Sequence, residues 1–149
     1  MAEGSKFKIT EIKGDLFAAP SSSLAHCISK DCRLGAGIAK IFRQKFGRID
    51  ELTRMGTEVG GVSPLKIGPF GSKYVYNLVT KERYYQKPTY AALRNSLVTM
   101  RDHAVAHNVK EIAMPKIGCG LDKLEWSQVS VVLKEVFVDT HIVIMVYYM

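Results

Sequence analysis

The second half of the chain alternates between two hydrophobic periodicities, and that alternation limits what it can fold into. "KYVYNLVT", residues 73–80, is a short apolar run rich in strand-forming side chains. The next segment opens at Pro88-Thr89 and places Tyr90, Leu93, Leu97, Met100 and Ala104 at 3-4-3-4 spacing, the stripe of a long helix. "EIAMPKI" then reads as a buried strand. From Trp126, a second helical face carries Val129, Val132, Leu133, Val136 and Phe137. "HIVIMVYY" closes the chain as a near-continuous apolar run, which predicts a central strand covered on both faces. Strand, helix, strand, helix, strand is the signature of an α/β fold with a mixed sheet between helical layers.

The first half fits this frame. "FKITEIKGDLF" opens with strand alternation and reaches a turn at Gly14-Asp15. "SLAHCIS", Ser23 to Ser29, predicts a buried strand. After "KDCRLGAG", Ile38, Ile41, Phe42 and Phe46 share a helical face, with Gly47 as its stop, and "RIDELTRM" adds a short helix. "VSPLKI" and "KYVYNLVT" read as two strands separated by the turn-rich "GPFGS". With no repeat, linker or low-complexity segment, residues 1–149 read as one domain, long enough for a core without metal or disulfide staples.

Charge narrows the partners. Lys plus Arg outnumber Asp plus Glu by 21 to 14, a net +7 that favours anionic ligands. No run of five basic residues marks a nucleic-acid tail. Cys27, Cys32 and Cys119 are odd in number and scattered, which points to a reducing compartment. The start has no apolar signal core, and the longest apolar run is too short to cross a bilayer. A nuclear and cytoplasmic protein is expected.

In an α/β sheet, ligands gather where carboxyl ends of strands feed into helices. Two glycine-bearing loops, "LGAGIA" and "IGCGLD", fall at such junctions. Glycine lets backbone amides approach a phosphate, and a following helix N-terminus adds partial positive charge. Neither loop completes a dinucleotide or Walker motif, and each alone is equally a plain turn. Two of them could clasp a diphosphate.

Together, "KGDLF" after the first strand, "AHCISKDCRLGAGIA", and "MPKIGCGLD" after a late strand resemble the macrodomain family, over nearly the whole chain and in the expected order. "TKERYYQKPTY" and "GCGLDKLEW" are similar to segments of those members that release ADP-ribose from proteins and deacetylate O-acetyl-ADP-ribose. The resemblance implies a three-layer α/β/α fold with a central mixed sheet and a cleft for one ADP-ribose. It implies that Asp15 accepts a hydrogen bond from the adenine amino group with Leu16 beside it, and that Met149 borders the adenine. Ser29 would lie near the distal ribose or phosphates. Gly35, Ala36 and Gly37 would line the diphosphate, together with Lys116, Ile117, Gly118, Cys119, Gly120 and Leu121.

By the same resemblance, Lys81 and Asp122 match a catalytic pair. On sequence alone they are equally a surface lysine and a helix-cap aspartate. The chemistry has a use for both. An ADP-ribosyl ester joins the anomeric carbon of the distal ribose to a Glu or Asp carboxylate; a lysine amine can attack that carbon and form a Schiff-base-type intermediate. Desolvation favours the free amine, whereas a neighbouring carboxylate favours the ammonium, so Asp122 makes sense as a proton-transfer group. Many hydrolytic macrodomains carry an asparagine-rich loop and a diglycine loop with an acidic residue. This chain has "AHCISKDC" and "GAGIAK" there, which fits the lysine route.

Expected partners are ADP-ribose, O-acetyl-ADP-ribose and mono- or poly-ADP-ribosylated proteins, with no resident cofactor or metal, no membrane, no specific nucleic-acid partner and a monomeric state. The resemblance further implies a role in the DNA damage response. The alternatives are a non-catalytic ADP-ribose or poly-ADP-ribose reader, and a basic nucleic-acid-binding domain. Cys119 reads as a small filler, His26-Cys27 with Cys32 lacks the spacing of a zinc site, and His103 and His107 read as surface residues.

Overall fold

The computed structural model describes residues 7–18, 22–68 and 73–149. Six strands, β1 (Lys8–Lys13), β2 (Ser23–Ser29), β3 (Val62–Ile67), β4 (Lys73–Lys81), β5 (Glu111–Pro115) and β6 (Val143–Tyr148), form one sheet in the order β1-β6-β5-β2-β4-β3. Only β3 runs antiparallel, paired with β4; the other pairings are parallel. The sheet is therefore mixed, and the carboxyl ends of β1, β2, β4, β5 and β6 share one edge. Most of the "GPFGS" turn lies outside the described residues.

Helices α1 (Gly37–Phe46) and α2 (Ile49–Met55) cover one face of the sheet, and α3 (Tyr90–Ala106) and α4 (Trp126–Phe137) the other. The α3 stripe foreseen from spacing is what it buries: Leu93, Leu97, Met100 and Ala104 are fully buried. Thr89 stops the chain entering the helix early, and its hydroxyl accepts the Ala92 N–H at 3.0 Å. Truncating Leu97 to alanine would cost about 2–5 kcal/mol, since it sits in a filled core between α3 and the sheet. The expected three-layer α/β/α arrangement is present.

β6 is an interior strand as expected, but its two faces differ. Ile144 and Val146 are fully buried, whereas Val143, Met145 and Tyr147 are only half-buried. Tyr147 and Tyr148 line the cavity at the strand ends, so the apolar run covers a core on one side and borders a cleft at its end. β2 and β4 pair regularly until Ile28 meets Val79; Ser29 then pairs with Lys81, leaving Thr80 as the extra residue of a β-bulge. That bulge lies beside the cleft. Among the described residues, no helix is long and apolar enough to cross a membrane.

Candidate active site

A cavity of about 810 Å³ opens at the shared carboxyl edge of β2, β4, β5 and β6. One wall is the loop between β2 and α1, with the first turn of α1; the other is the loop after β5. Ser29, Gly35, Ala36, Gly37, Lys81 and all seven residues from Lys116 to Asp122 line it. The structure thus brings together most of the residues expected from sequence. Its volume lies within the roughly 300–1,000 Å³ range of ligand pockets.

The two glycine loops do different work. Gly37 begins α1 at φ +59°, and the amides of Gly37, Ile38 and Ala39 lie at the helix start with no intrahelical acceptor. No acidic side chain occupies that turn, so α1 aims the positive end of its dipole into the cavity. The α4 helix gives no such help: it starts at Trp126, beyond the cavity-lining segment. In the second loop, Gly118 is required by the loop itself. It adopts φ +73°, and a Cβ there would stand 2.8 Å from Leu124 Cδ1. Hydrogen bonds from Cys119 N–H to Lys116 O (3.1 Å) and from Leu124 N–H to Gly118 O (2.7 Å) hold this tight bend. Leu121 reaches across from it to within 3.1 Å of a Cβ placed on Gly37, so the two loops meet.

Lys81 and Asp122 come together at the inner end. Lys81 Nζ donates to Asp122 Oδ1 at 2.6 Å, and the side chains are only 13% and 16% exposed. Lys81 ends β4, held opposite Ser29 by the bulge; Asp122 leaves the second loop. Sequence separation of 41 residues conceals this pairing. Around it, Ser29 Oγ donates a hydrogen bond to Asp31, whose carboxylate also accepts the Tyr84 N–H (3.0 Å) and Arg33 N–H (3.4 Å). Partial burial alone would raise the Asp31 carboxyl, yet these donors and the Arg33 charge hold it below the usual range. Ser29 has therefore committed its proton to Asp31 and turns only acceptor lone pairs toward a ligand.

Other expected ligand residues sit differently. Asp15 is exposed and accepts the Phe17 N–H at 3.0 Å, closing a turn that Gly14 N–H ties to Tyr148 O at 2.8 Å. Leu16 is 4% exposed and belongs to the α1-side core. Met149 is 90% exposed at the end of β6. These three border the Tyr148 end without lining the cavity. Lys116 lines it, and its ammonium lies 5.1 Å from the Tyr148 ring centre and 3.9 Å from Glu11.

Several lining residues were not foreseen: Arg33, Tyr84, Tyr85, Gln86, Tyr147 and Tyr148. The Arg33 guanidinium sits 4.5 Å over the Tyr84 ring. The segment "ERYYQK" belongs to the motif "TKERYYQKPTY", and its local signal is a pair of aromatics just past a strand.

Cys27, Cys119, His26 and His103 sit in packed surroundings. Burial, with the Asp122 charge adding to it, pushes the Cys27 thiol up to about 12, and burial also raises Cys119, so neither is a thiolate nucleophile. His26 is fully buried, stacked on Phe42 with ring centres 3.7 Å apart. Asn77 spends its amide N–H groups on Ser63 O and Val75 O, so its Oδ1 accepts from His26 Nε2 at 2.6 Å. His103 departs from the expectation of a surface residue. It is half-buried, joined to the Tyr76 hydroxyl at 2.9 Å, and His107 stacks on it at 3.9 Å.

The Macro domain family model matches residues 22–133. The chain is 50% identical over 147 residues to the Bos taurus ADP-ribose glycohydrolase OARD1, covering 98% of this chain and 93% of the relative. It is also 50% identical over 146 residues to the Homo sapiens protein of that name, covering 97% and 93%. Among solved structures, the macrodomain of Thermus aquaticus DarG superposes with a TM-score of 0.86 at 20% identity, over 96% of this chain and 99% of that one.

Proposed function

The chain belongs to the Macro domain family, and from that premise we propose that it is an ADP-ribose glycohydrolase. On this reading it frees ADP-ribose from glutamate and aspartate side chains with Lys81 as nucleophile and Asp122 as its proton partner. The observation that carries the reading is the 2.6 Å contact between Lys81 Nζ and Asp122 Oδ1, little exposed at the inner end of the cleft. Half-identical relatives over nearly full length named ADP-ribose glycohydrolase support it.

The chemistry follows from the placement. ADP-ribose lies with its diphosphate between the α1 amides and the second loop and its distal ribose toward Lys81. A proton passes from Nζ to Asp122 Oδ1 along their hydrogen bond, leaving a free amine. The amine lone pair forms a C–N bond to the anomeric carbon; the C–O bond to the acceptor breaks, and the acceptor carboxylate departs with the electron pair. The ring then opens to an imine, its oxygen taking up a proton. Water adds to the imine carbon, the C–N bond breaks, and ADP-ribose leaves while the amine regains its proton from Asp122. The same site can direct water at the acetyl carbonyl of O-acetyl-ADP-ribose, the ribose hydroxyl leaving with a proton. ADP-ribose and modified proteins are the proposed partners of a monomeric protein in nucleus and cytoplasm.

The test is to incubate the protein with a glutamate-ADP-ribosylated target, add a reducing trap and measure intact mass. The expected result is released ADP-ribose and an adduct on Lys81. Tight ADP-ribose binding without release would instead mark a reader.

A further inference from the structure

We propose that a second hollow, meeting the cleft at Lys81, seats the acid-flanked polypeptide segment that carries the ADP-ribosyl ester. This rests on the glycohydrolase reading and names the acceptor side of the same site. The hollow holds about 510 Å³ and shares Lys81, Tyr85 and Gln86 with the cleft. If ADP-ribose fills the cleft with its distal ribose beside Lys81 Nζ, the carboxylate departs from the face of the anomeric carbon opposite the amine, and the polypeptide that carries it continues past the end of the cleft where Lys81, Tyr85 and Gln86 are shared. The hollow begins there.

Its lining suits a stretch of polypeptide. Val59 and Ala92 give it an apolar floor. Tyr85, 72% exposed, stands on the divide with the Tyr84 ring against it edge-on and most of its own surface open to solvent. Gln86 is fixed there because its Oε1 accepts the Arg83 N–H at 2.8 Å. The charge is asymmetric. Lys87 lies on the rim with no ion-pair partner among the described residues. Thr89 caps α3 at the far side, and the first turn of α3 carries no acidic side chain, so its free amides add partial positive charge. Glu82 faces Lys30, which Glu58 already pairs at 2.8 Å. A nucleic-acid strand needs a row of cations along its phosphates. Here Glu82, itself in the lining, and Glu58 nearby interrupt any such row, whereas a peptide needs a single cation: an acidic neighbour on the α3 side of the modified residue meets Lys87 and the helix start, while Glu82 disfavours one on the β4 side.

The experiment compares two glutamate esters of ADP-ribose, one on a short acidic peptide and one on a single capped glutamate, with wild type and Lys87→Glu. The charge reversal should lower kcat/KM on the acidic peptide roughly tenfold and leave the single-residue ester within about twofold. A peptide with lysine neighbours should gain on the variant, which a merely structural role for Lys87 would not produce. Equal loss on both esters, or on neither, overturns the inference while the glycohydrolase reading stands. So does a single-stranded oligonucleotide that suppresses peptide turnover in wild type but not in Lys87→Glu, because the occupant would then be a nucleic acid. A wild type inert toward both esters overturns the glycohydrolase reading and this inference with it.

Discussion

Lys81, the last residue of β4, and Asp122, in the loop after β5, meet at 2.6 Å from either side of β2, in a pocket that leaves each less than one-fifth exposed. A pair so shielded from water interacts more strongly than a surface ion pair, and removing either partner leaves an uncompensated charge. The pair is therefore both a reactive element and a local brace.

Lys81→Arg separates those roles. Arginine keeps a positive charge beside Asp122 but cannot form an imine. Turnover of a glutamate-linked ester should fall by about 10³ or more, with ADP-ribose affinity retained by calorimetry. Full activity in this variant would remove Lys81 as nucleophile.

Asp122→Ala removes the proton acceptor and strands the ammonium. Release of ADP-ribose should slow by about 10²–10⁴. Urea denaturation should register a loss of about 1–3 kcal/mol from the unpaired cation. Binding of ADP-ribose should persist, since the diphosphate walls are untouched.

Two glycines of the second loop make a matched contrast. Gly118→Ala meets Leu124 Cδ1 at 2.8 Å from a left-handed backbone, so stability should fall by about 2–3 kcal/mol. Gly120→Ala meets nothing within 4 Å and should change stability by less than about 0.5 kcal/mol. Thermal melts of the two variants decide whether Gly118 serves the bend.

His26 predicts an acid-sensitive fold. Burial lowers its pKa from 6.5 to about 4 against the pull of the Asn77 hydrogen bond. Between those values the unfolded chain binds the proton and the folded chain does not. The stabilisation is therefore complete above pH 6.5 and lost as pH falls toward 4, about 3 kcal/mol in all. Denaturation at several pH values should show this slope, and His26→Phe should flatten it.

The fold was legible wherever a period ran long enough. α3 begins at Tyr90 behind Thr89, and α4 begins at Trp126, because their stripes face a sheet and obey it. β6 was read as covered on both faces because its residues are apolar throughout. Apolar character alone could not tell that Tyr147 borders a cleft. Lys81 and Asp122 were legible through a resemblance, and their contact could not be read from spacing, since it depends on where the β2–β4 register shifts. Tyr85 and Lys87 escaped because each is ordinary in its own segment; only the fold sets them beside Lys81.

The extra residue at Thr80 has a consequence for how such a protein could change. Side chains alternate along a strand, so losing one residue there would present the lysine to the α3 layer instead of the cleft. Every loop that holds the diphosphate would survive. On the proposed chemistry, a single-codon deletion would thus convert a hydrolase into a binder in one step, with no change in the residues that grip the ligand. Grip and turnover are separable here by counting, and an insertion at the same position is the mirror route by which a binder could acquire a nucleophile.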